Sequence, residues 1–335
     1  MTDRDPFSGS GWALPADRAA RLEAARWAYR LILLREPEAP GALESLSGAG
    51  STEAMRNVLL SSAELQSQKG FPVQHAMTGM EPAQEVQVEV SPAERERLFA
   101  MVQQVWRNLG VEKPHWSVLS SDEFLPGRVE ARMDEFYATG PINVDLVMRT
   151  LGRNGIQVAG RRTCMDYGCG VGRLTAALSP HFQQVIGVDV SEHHLALARD
   201  AMSRRGVRNA TFQHLASIDA VDALPEVDMI VSLIVLQHNP PPVMREILAG
   251  LLGRLRPGGV AVLQLPTYMP GAYRFRLGEY FANGGRQMEM HALPQREVFT
   301  AARSRGVDVL EVLEDGWAGF GRGARSNTFV FQRPG

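Results

Sequence analysis

The sequence predicts an α/β protein built on an open, mainly parallel sheet, and three features of its central region carry that prediction. The first is a glycine-rich loop, Asp166-Tyr-Gly168-Cys-Gly170-Val-Gly172, between an apolar strand and an amphipathic helix. The second is Asp189, which closes the next apolar run. The third is the turn Arg256-Pro-Gly-Gly259, which joins an apolar-striped helix to another strand. Strands and helices that alternate in this way form parallel sheets.

The chain's size and composition set broad limits. Its 335 residues suffice for one domain of ordinary size and a smaller companion. The net charge is −2, and arginine far outnumbers lysine, as in proteins of GC-rich bacterial genomes, so no nucleic-acid partner is expected. We expect a cytoplasmic protein without a membrane span, because no leader pattern and no long apolar window is found. Cys164 and Cys169 are expected to be reduced thiols packed beside a ligand.

The first part of the chain predicts a small helical module at residues 17–69, after a lead-in at 1–16 that is rich in Gly, Ser and Pro. One apolar helical stripe includes Trp27 and Leu31, a second helix follows Ser51, and capping-box spacing at Ser61 predicts a third.

Residues 28–37 and 59–65 resemble the small helical modules of phycobilisome linkers, which occur beside bacterial glycan-modifying enzymes. The resemblance implies docking to a protein partner, and a plain helical extension of the following domain is an equal alternative. Residues 70–90 have no sustained period and predict a linker.

Residues 91–160 predict a helical cap. Ser91-Pro-Ala-Glu94 has the spacing of a capping box with proline at the first helical position, and an apolar face extends to Leu109. Residues 113–124 and 134–140 have no clean period and predict loops of this cap.

The glycine loop indicates a nucleoside cofactor. Alternate glycines let the backbone turn sharply and touch a ligand. Asp166 would repel a pyrophosphate but suits an ammonium group, and the two oxygens of Asp189 suit a ribose diol. The pattern D-x-G-x-G-x-G resembles motif I of class I S-adenosylmethionine-dependent methyltransferases, and the resemblance covers roughly residues 161–332.

This resemblance implies S-adenosyl-L-methionine as the cofactor, with the three glycines beside its methionine half. The family often has a carboxylate after the third strand to hold the adenine, whereas this chain has Leu215-Ala-Ser217, so Ser217, a backbone group or Asp219 is expected there. The expected cofactor contacts are Asp166, Gly168, Cys169, Gly170, Gly172, Asp189, Val190, Ser217 and Gln237. His193 and His194 diverge by about 100° on a helix and are expected at the surface rather than on a metal.

The catalytic candidate is His238, which follows the buried run Val227–Leu236 at the cofactor end of the sheet. A neutral imidazole there could take a proton from an acceptor hydroxyl, and a structural histidine is an equal alternative. Tyr137 in the cap, and Tyr273 and Arg276 in an aromatic and arginine-rich insertion at 267–290, are the candidate acceptor contacts. A packing segment or dimer contact is the alternative for this insertion.

Together these features predict a seven-stranded Rossmann-like methyltransferase sheet at 161–335 with a helical cap, plus a small all-α N-terminal module. The expected reaction is methyl transfer to a hydroxyl of a sugar or glycan. Transfer to a small amine or a lipid-like metabolite, and a non-catalytic cofactor-binding assembly subunit, are the alternatives. No metal is expected.

Overall fold

The computed structural model describes residues 16–33, 35–60, 62, 82–269, 273–285, 287–317 and 324–335. The chain divides into two compact units, Met1–Ala76 and Met77–Gly335. The lead-in predicted before residue 16, the helix predicted from Ser61 and the linker residues 70–81 lie outside the described residues, apart from Ser62.

The described part of the first unit is helical. It contains α1 (Arg18–Ala28) with a π-helical continuation (Tyr29–Leu33), α2 (Pro40–Ser47) and α3 (Thr52–Leu60). Its small core consists of Ala25, Leu33, Leu43, Leu46, Met55 and Leu59. Trp27 and Leu31, predicted on the apolar stripe of the first helix, are 50% and 68% exposed instead.

Residues 82–90, predicted as part of the linker, belong to the fold of the second unit. Strand β1 (Glu85–Val86) pairs in parallel with β7 (Arg274–Phe275). Three valines at alternate positions pack against the main core: Val86, Val88 and Val90. This alternation has the two-residue period of a strand, and its cross-chain partner lies far away in sequence. Residues 82–90 therefore pack with the second unit, and the division after Ala76 lies within the predicted linker at 70–90.

The main sheet has seven strands. They are β2 (Thr163–Tyr167), β3 (Gln184–Asp189), β4 (Ala210–His214), β5 (Val227–Ser232), β6 (Leu255–Tyr268), β8 (Asp308–Asp315) and β9 (Arg325–Gln332). Their spatial order is β4-β3-β2-β5-β6-β9-β8, and β9 alone runs opposite to the other six strands. The predicted seven-stranded, mainly parallel sheet is confirmed.

The strand order fixes where a ligand can bind. Strand β2 lies between β3 and β5, so the connections that leave β2 and β5 diverge to opposite sides of the sheet. Such a switch point opens a crevice at the carboxyl ends of the strands. The glycine loop directly follows β2 and lies at this crevice.

Helices cover both faces of the sheet, and each face has its own apolar core. Alternate residues of β2 therefore belong to different cores. Met165 and Tyr167 pack in the larger core and Cys164 packs in the other. The helices are α4 (Pro92–Glu112), α5 (Met133–Arg153), α6 (Arg173–Leu178), α7 (Glu192–Arg204), α8 (Pro241–Gly253), α9 (Leu277–Asn283) and α10 (Gln295–Ser304). Among the described helices, none is both long and apolar enough to cross a membrane.

The cap follows the sequence prediction at its first helix and departs from it at the second. Helix α4 begins at the predicted capping box, in which Ser91 and Glu94 bond each other's backbone N–H groups. Residues 134–140, predicted as a loop, form the first part of α5, which continues through Pro141. Buried residues of α5 recur at helical spacing: Phe136, Tyr137, Gly140, Val144, Val147 and Leu151. This buried stripe outweighs the helix-breaking tendency of Gly140-Pro141.

Candidate active site

A cavity of about 450 Å³ lies at the carboxyl ends of β2, β3 and β5. This volume is typical of small-molecule sites, which span roughly 300–1,000 Å³. The wall includes the glycine loop, residues 189–190 after β3 and residues 233–239 after β5. The cap contributes Trp106 and residues 117–120, and the later segments contribute Met288, Met290 and Trp317.

Eight of the residues predicted for the site line this cavity: Asp166, Gly168, Cys169, Gly170, Asp189, Val190, Gln237 and His238. The other five do not: Gly172, Ser217, Tyr137, Tyr273 and Arg276. The sequence therefore located the cavity, but it did not identify all of the residues that surround it.

The glycine loop presents bare backbone to the cavity. Gly168 and Gly170 have φ angles of +75° and +51°, a region that a β-carbon disfavours. A β-carbon at either position would overlap the side chain of Val235 or Val118. The N–H of Gly168 donates to the carbonyl of Val188 at 2.7 Å and fixes the loop to β3.

Gly172 has a packing role instead. Its φ is +81°, and a β-carbon there would lie 3.1 Å from Met202 and 3.2 Å from Ala198 of α7. This glycine lets α6 begin close against α7, behind the cavity wall.

Asp189 is held rigidly at the end of β3. One carboxylate oxygen accepts the N–H of Gly170 at 2.9 Å, and the other accepts the N–H of Ser191 at 2.8 Å. Each oxygen of a carboxylate can accept a second hydrogen bond. The buried carboxylate is therefore oriented to accept from a pair of hydroxyl groups.

Asp166 is a buried carboxylate, 2% exposed, at the end of β2. Burial raises the pKa of its carboxyl to about 6, against the opposing effects of the Thr175 hydroxyl and the Arg173 charge. The Thr175 hydroxyl donates to it at 2.6 Å. A buried, under-compensated negative charge suits a cationic ligand group.

Arg173 also lines the cavity, and the sequence analysis missed it. Its guanidinium donates to Asn143 at 2.6 Å and to Thr139 at 3.1 Å, both on α5. Its Nε is buried and has no hydrogen-bond partner among the described residues. Burial also lowers the pKa of this guanidinium. The available signal was an arginine at the first helical position after the glycine loop, adjacent to the apolar stripe of α6.

His238 lines the cavity from the loop after β5. Its Nδ1 lies 2.9 Å from the carbonyl oxygen of Glu289, so Nδ1 carries the proton and Nε2 has the lone pair, with the amide nitrogen of Gln237 3.5 Å away. The ring packs edge-on against Trp106, with ring centroids 5.2 Å apart. Burial lowers the pKa of His238 to about 4, and the imidazole is therefore neutral at pH 7.

The prediction that His193 and His194 both lie at the surface was wrong for His194, which is 1% exposed and lines the cavity. Its Nε2 lies 3.0 Å from the hydroxyl of Ser117 and 3.2 Å from the carbonyl of Pro114. The histidine thus joins α7 to the cap. Helix periodicity placed Leu195 inward but could not show that the cap would cover its neighbour.

Ser217, expected near an adenine ring, lies outside the cavity wall, whereas Leu215 two residues earlier is part of it. The carbonyls of Leu215 and Ala216 accept hydrogen bonds from the buried amide of Gln103 on α4, at 2.9 and 3.0 Å. A cap glutamine therefore fixes the backbone where the family often has a carboxylate, and Leu215 and Val190 offer an apolar wall.

Tyr137, an expected acceptor contact, faces the back of the glycine loop. Its hydroxyl donates to the carbonyl of Val171 at 2.7 Å, and Arg205 stacks over its ring at 3.9 Å. Burial raises the pKa of the phenol to about 12. Tyr137 therefore supports the loop from behind and does not line the cavity.

Tyr273 and Arg276, the other two expected acceptor contacts, also bond elsewhere. The Tyr273 hydroxyl lies 3.1 Å from Nδ1 of His291, and the exposed Arg276 pairs with Glu85 at 2.6 Å. The parallel pairing of β1 with β7 draws this part of the insertion toward the outside of the unit. Among the described residues of the insertion, Met288 and Met290 line the cavity.

These residues fit S-adenosyl-L-methionine. Arg173 lines the cavity and can place its positive charge near the ligand's carboxylate, and Asp166 can accept from the ligand's ammonium group. The glycine backbone leaves room for the methionine chain, and Asp189 can accept from the ribose diol. Val190 and Leu215 can flank the adenine. Within the described residues, His, Cys, Asp and Glu side chains do not assemble into a group of three that could hold a metal ion.

Comparison with known proteins finds similarity to methyltransferases. Residues 164–259 match a family model described as a methyltransferase domain. The ubiquinone biosynthesis O-methyltransferase of Stutzerimonas stutzeri (strain A1501) is 30% identical over 122 residues, which are 36% of this chain and 51% of the relative. The enzyme of the same name from Pseudomonas savastanoi pv. phaseolicola (strain 1448A / Race 6) is 25% identical over 191 residues, or 55% and 78% of the two chains.

Among solved structures, the magnesium protoporphyrin IX methyltransferase of Synechocystis PCC 6803 with bound S-adenosylhomocysteine covers 70% of this chain and 99% of its own. It is 20% identical, with a TM-score of 0.49. The present chain spans about half the length of the Stutzerimonas relative (51%). The domain match at 164–259 coincides with the glycine loop, Asp189 and the parallel strands that form the cavity, so these residues carry a methyltransferase domain whose cavity fits S-adenosylmethionine.

Proposed function

We propose that this enzyme transfers a methyl group to a hydroxyl oxygen of a mainly apolar small molecule. The observation that carries the proposal is the cavity wall away from the cofactor residues. That wall includes the apolar side chains of Trp106, Ile234, Met288, Met290 and Trp317, together with His238 and uncharged polar residues such as Ser120 and Asn239. The charged residues of the lining, Asp166, Arg173 and Asp189, belong to the cofactor end. A wall of this kind favours an acceptor that buries apolar surface.

Oxygen as the methylated atom is supported by the two relatives, whose names describe O-methyltransferases. The sugar or glycan acceptor expected from the sequence relied on Tyr273 and Arg276. Because both lie outside the cavity, a glycan is the less favoured acceptor and becomes an alternative outcome of the experiment below.

His238 is the proposed base. When bound, S-adenosylmethionine supplies a methyl group that is already activated on a sulfonium. An acceptor hydroxyl that gains this methyl becomes a strongly acidic oxonium, so even a weakly basic imidazole can take its proton. The Nδ1–H bond to Glu289 leaves the lone pair on Nε2 for this proton, and the contact of Nε2 with the Gln237 amide is long, at 3.5 Å. The low pKa of His238 keeps the imidazole neutral and ready throughout the physiological pH range.

The other cavity residues hold and orient the cofactor in this proposal. Asp166 and Arg173 bind the two charged ends of its amino-acid group, and Asp189 binds the ribose. Cys169 and Gln237 contribute to the wall between cofactor and acceptor. Fixing both reactants within one desolvated cavity provides the alignment that in-line methyl transfer needs.

Four acceptors test the proposal, because they separate head group from tail: octyl gallate, methyl gallate, octyl glucoside and methyl glucoside. Release of S-adenosylhomocysteine is measured for each. We expect octyl gallate to give the highest kcat/KM, because burial of two methylene groups alone raises it roughly tenfold at about 0.8 kcal/mol each. Preference for either glucoside would replace the apolar acceptor with a sugar. Absence of turnover on a wider panel despite tight cofactor binding would favour a non-catalytic subunit.

For the first unit, we propose docking to a protein partner. Trp27 and Leu31 are four residues apart and both exposed, at 50% and 68%, so they present apolar surface on one helix face. Removal of residues 1–76 should then leave cofactor binding and turnover unchanged. We also place the activity in the cytoplasm, because Cys164 and Cys169 are free and buried.

A further inference from the structure

The loop that carries His238 contains a strained residue. Ile234 has a φ of +62° and is the one non-glycine residue of the described chain with a positive φ. A β-branched side chain rarely adopts this conformation, which persists only where neighbouring groups enforce it. Ile234 follows β5 and lines the cavity.

One side chain holds this conformation. Gln264 of β6 is fully buried, and its amide oxygen accepts the N–H of Ile234 at 2.7 Å. Its amide nitrogen donates to Ser326 of β9 at 2.6 Å and to the side-chain oxygen of Gln237 at 3.3 Å. A single amide therefore joins both ends of the 234–237 segment to the central strands of the sheet.

The bonds of Gln237 extend this connection to the other walls of the cavity. Its amide nitrogen donates to the sulfur of Met290 at 3.3 Å, and its backbone carbonyl accepts the N–H of His291 at 2.8 Å. His238 follows directly and bonds the carbonyl of Glu289. The orientation of the imidazole thus depends on the 233–239 loop and on the insertion that packs against it.

An apolar residue such as leucine could occupy the position of Gln264 without the free-energy cost of removing an amide from water. Its neighbours on β6, Leu263 and Leu265, are fully buried apolar residues. Gln264 itself does not line the cavity. A buried amide is retained in a core when its hydrogen bonds are made, and here these bonds lead to the loop.

We propose that Gln264 is a positioning residue, which enforces the left-handed conformation of Ile234 and thereby sets the 233–239 loop and His238 for methyl transfer. The proposal rests on the proposed function of His238. Gln264 acts through the loop and contacts neither acceptor nor cofactor.

The test uses the full-length chain with Gln264→Leu, Ser326→Ala, Ile234→Gly and the double variant Gln264→Leu/Ile234→Gly. Ser326→Ala is the milder change, since it frees the amide of Gln264 but keeps the acceptor for Ile234. Thr267→Val is the matched control. It removes a buried side-chain hydrogen bond, to Asn327, from the same strand without touching the loop.

Three measurements separate positioning from plain structural support. S-adenosylhomocysteine affinity should stay within about twofold in Gln264→Leu, while kcat for octyl gallate falls roughly tenfold or more. Ile234→Gly should restore part of that loss in the double variant, because glycine adopts a positive φ without help. The imidazole NMR signal of His238, identified by its absence in His238→Ala, should shift in Gln264→Leu and partly return in the double variant.

The proposal is overturned if Gln264→Leu leaves both kcat and the His238 signal unchanged, or if Thr267→Val lowers kcat equally. It is also overturned if Ile234→Gly returns no part of the His238 signal in the double variant, a readout that does not depend on Ile234 as an acceptor contact. If wild type does not methylate octyl gallate, the proposed acceptor class fails, while the His238 signal still decides the role of Gln264 without any acceptor. Should Gln264→Leu not fold, the smaller loss of kcat expected for Ser326→Ala provides the same comparison.

Discussion

Asp166 is placed for its ligand at the expense of the stability of the fold. It lies near the end of a largely buried strand, and the hydrogen bonds from Thr175 together with the Arg173 charge do not compensate its loss of water. Asp166→Asn keeps the shape of the side chain and an oxygen that can accept the Thr175 hydroxyl, but it removes the charge. We expect this variant to be more stable than wild type when no cofactor is bound.

The magnitude follows from the pKa of the carboxyl. Burial raises this pKa from the ordinary value of 3.8 to about 6. A pKa shift of one unit corresponds to about 1.36 kcal/mol. The ionised carboxylate therefore destabilises the folded protein by about 3 kcal/mol at pH 7. Asp166→Asn should therefore gain up to about 3 kcal/mol in the free energy of unfolding at pH 7 to 8.

The sign of the pH dependence is fixed by the same pKa. Above pH 6 the group is ionised in both the folded and the unfolded chain, and the full destabilisation is present. As pH falls from about 6 toward 4, the folded protein takes up a proton before the unfolded chain does, so wild type gains stability relative to the variant. The advantage of Asp166→Asn should thus disappear near pH 4.

Chemical denaturation at pH 8, 6 and 4.5 measures this difference, with Asp228→Asn as the control. Burial tends to raise the pKa of Asp228, but hydrogen bonds from Thr163 and Arg162 and the Arg256 guanidinium lower it overall. The folded protein therefore stabilises ionised Asp228, and neutralising it should reduce stability at pH 8. Two neutralised carboxylates of one sheet are expected to change stability in opposite directions.

Asp166→Asn should gain stability but lose cofactor affinity. If Asp166 binds the ammonium of the methionine group, Asp166→Asn loses a charge-assisted bond of about 1.5–3 kcal/mol, and S-adenosylhomocysteine should bind at least roughly tenfold more weakly. Wild-type affinity should also fall below pH 6, and the affinity of the variant should not. Equal or lower stability of Asp166→Asn at pH 8, or unchanged affinity, would refute the reasoning.

Three further predictions concern the cofactor, the domain boundary and the base. Asp189→Ala should weaken S-adenosylhomocysteine binding roughly tenfold or more by calorimetry, and unchanged affinity in a folded variant would exclude a ribose contact. The fragment 77–335 should melt higher than 92–335 by about 5 °C or more, because the shorter one lacks the valines of residues 86–90; equal melting temperatures would restore the later boundary. His238→Ala should lower the single-turnover rate with octyl gallate about 10²–10⁴-fold while it keeps cofactor affinity, whereas a lower melting temperature with near-normal turnover would make the histidine structural.

The sequence predicted the sheet and the location of the cavity because both depend on local patterns. Apolar runs, the alternate glycines and Asp189 each lie within a few residues of the structure that they form. The right-handed crossovers of parallel strands then bring the strand ends together without further information. Asp166 and Asp189 could be placed from this rule alone.

What the sequence did not predict depends on pairings between distant segments. Val86, Val88 and Val90 read as part of a linker until β7, almost two hundred residues later, supplies their partner strand. Arg173 could be placed only once Thr139 and Asn143 of the cap were seen to hold its guanidinium. The same limit applies to Ile234, since no local pattern in an apolar run distinguishes a strained residue from a strand residue. Its conformation requires Gln264, thirty residues later, which reaches Ile234 because β6 pairs in parallel with β5.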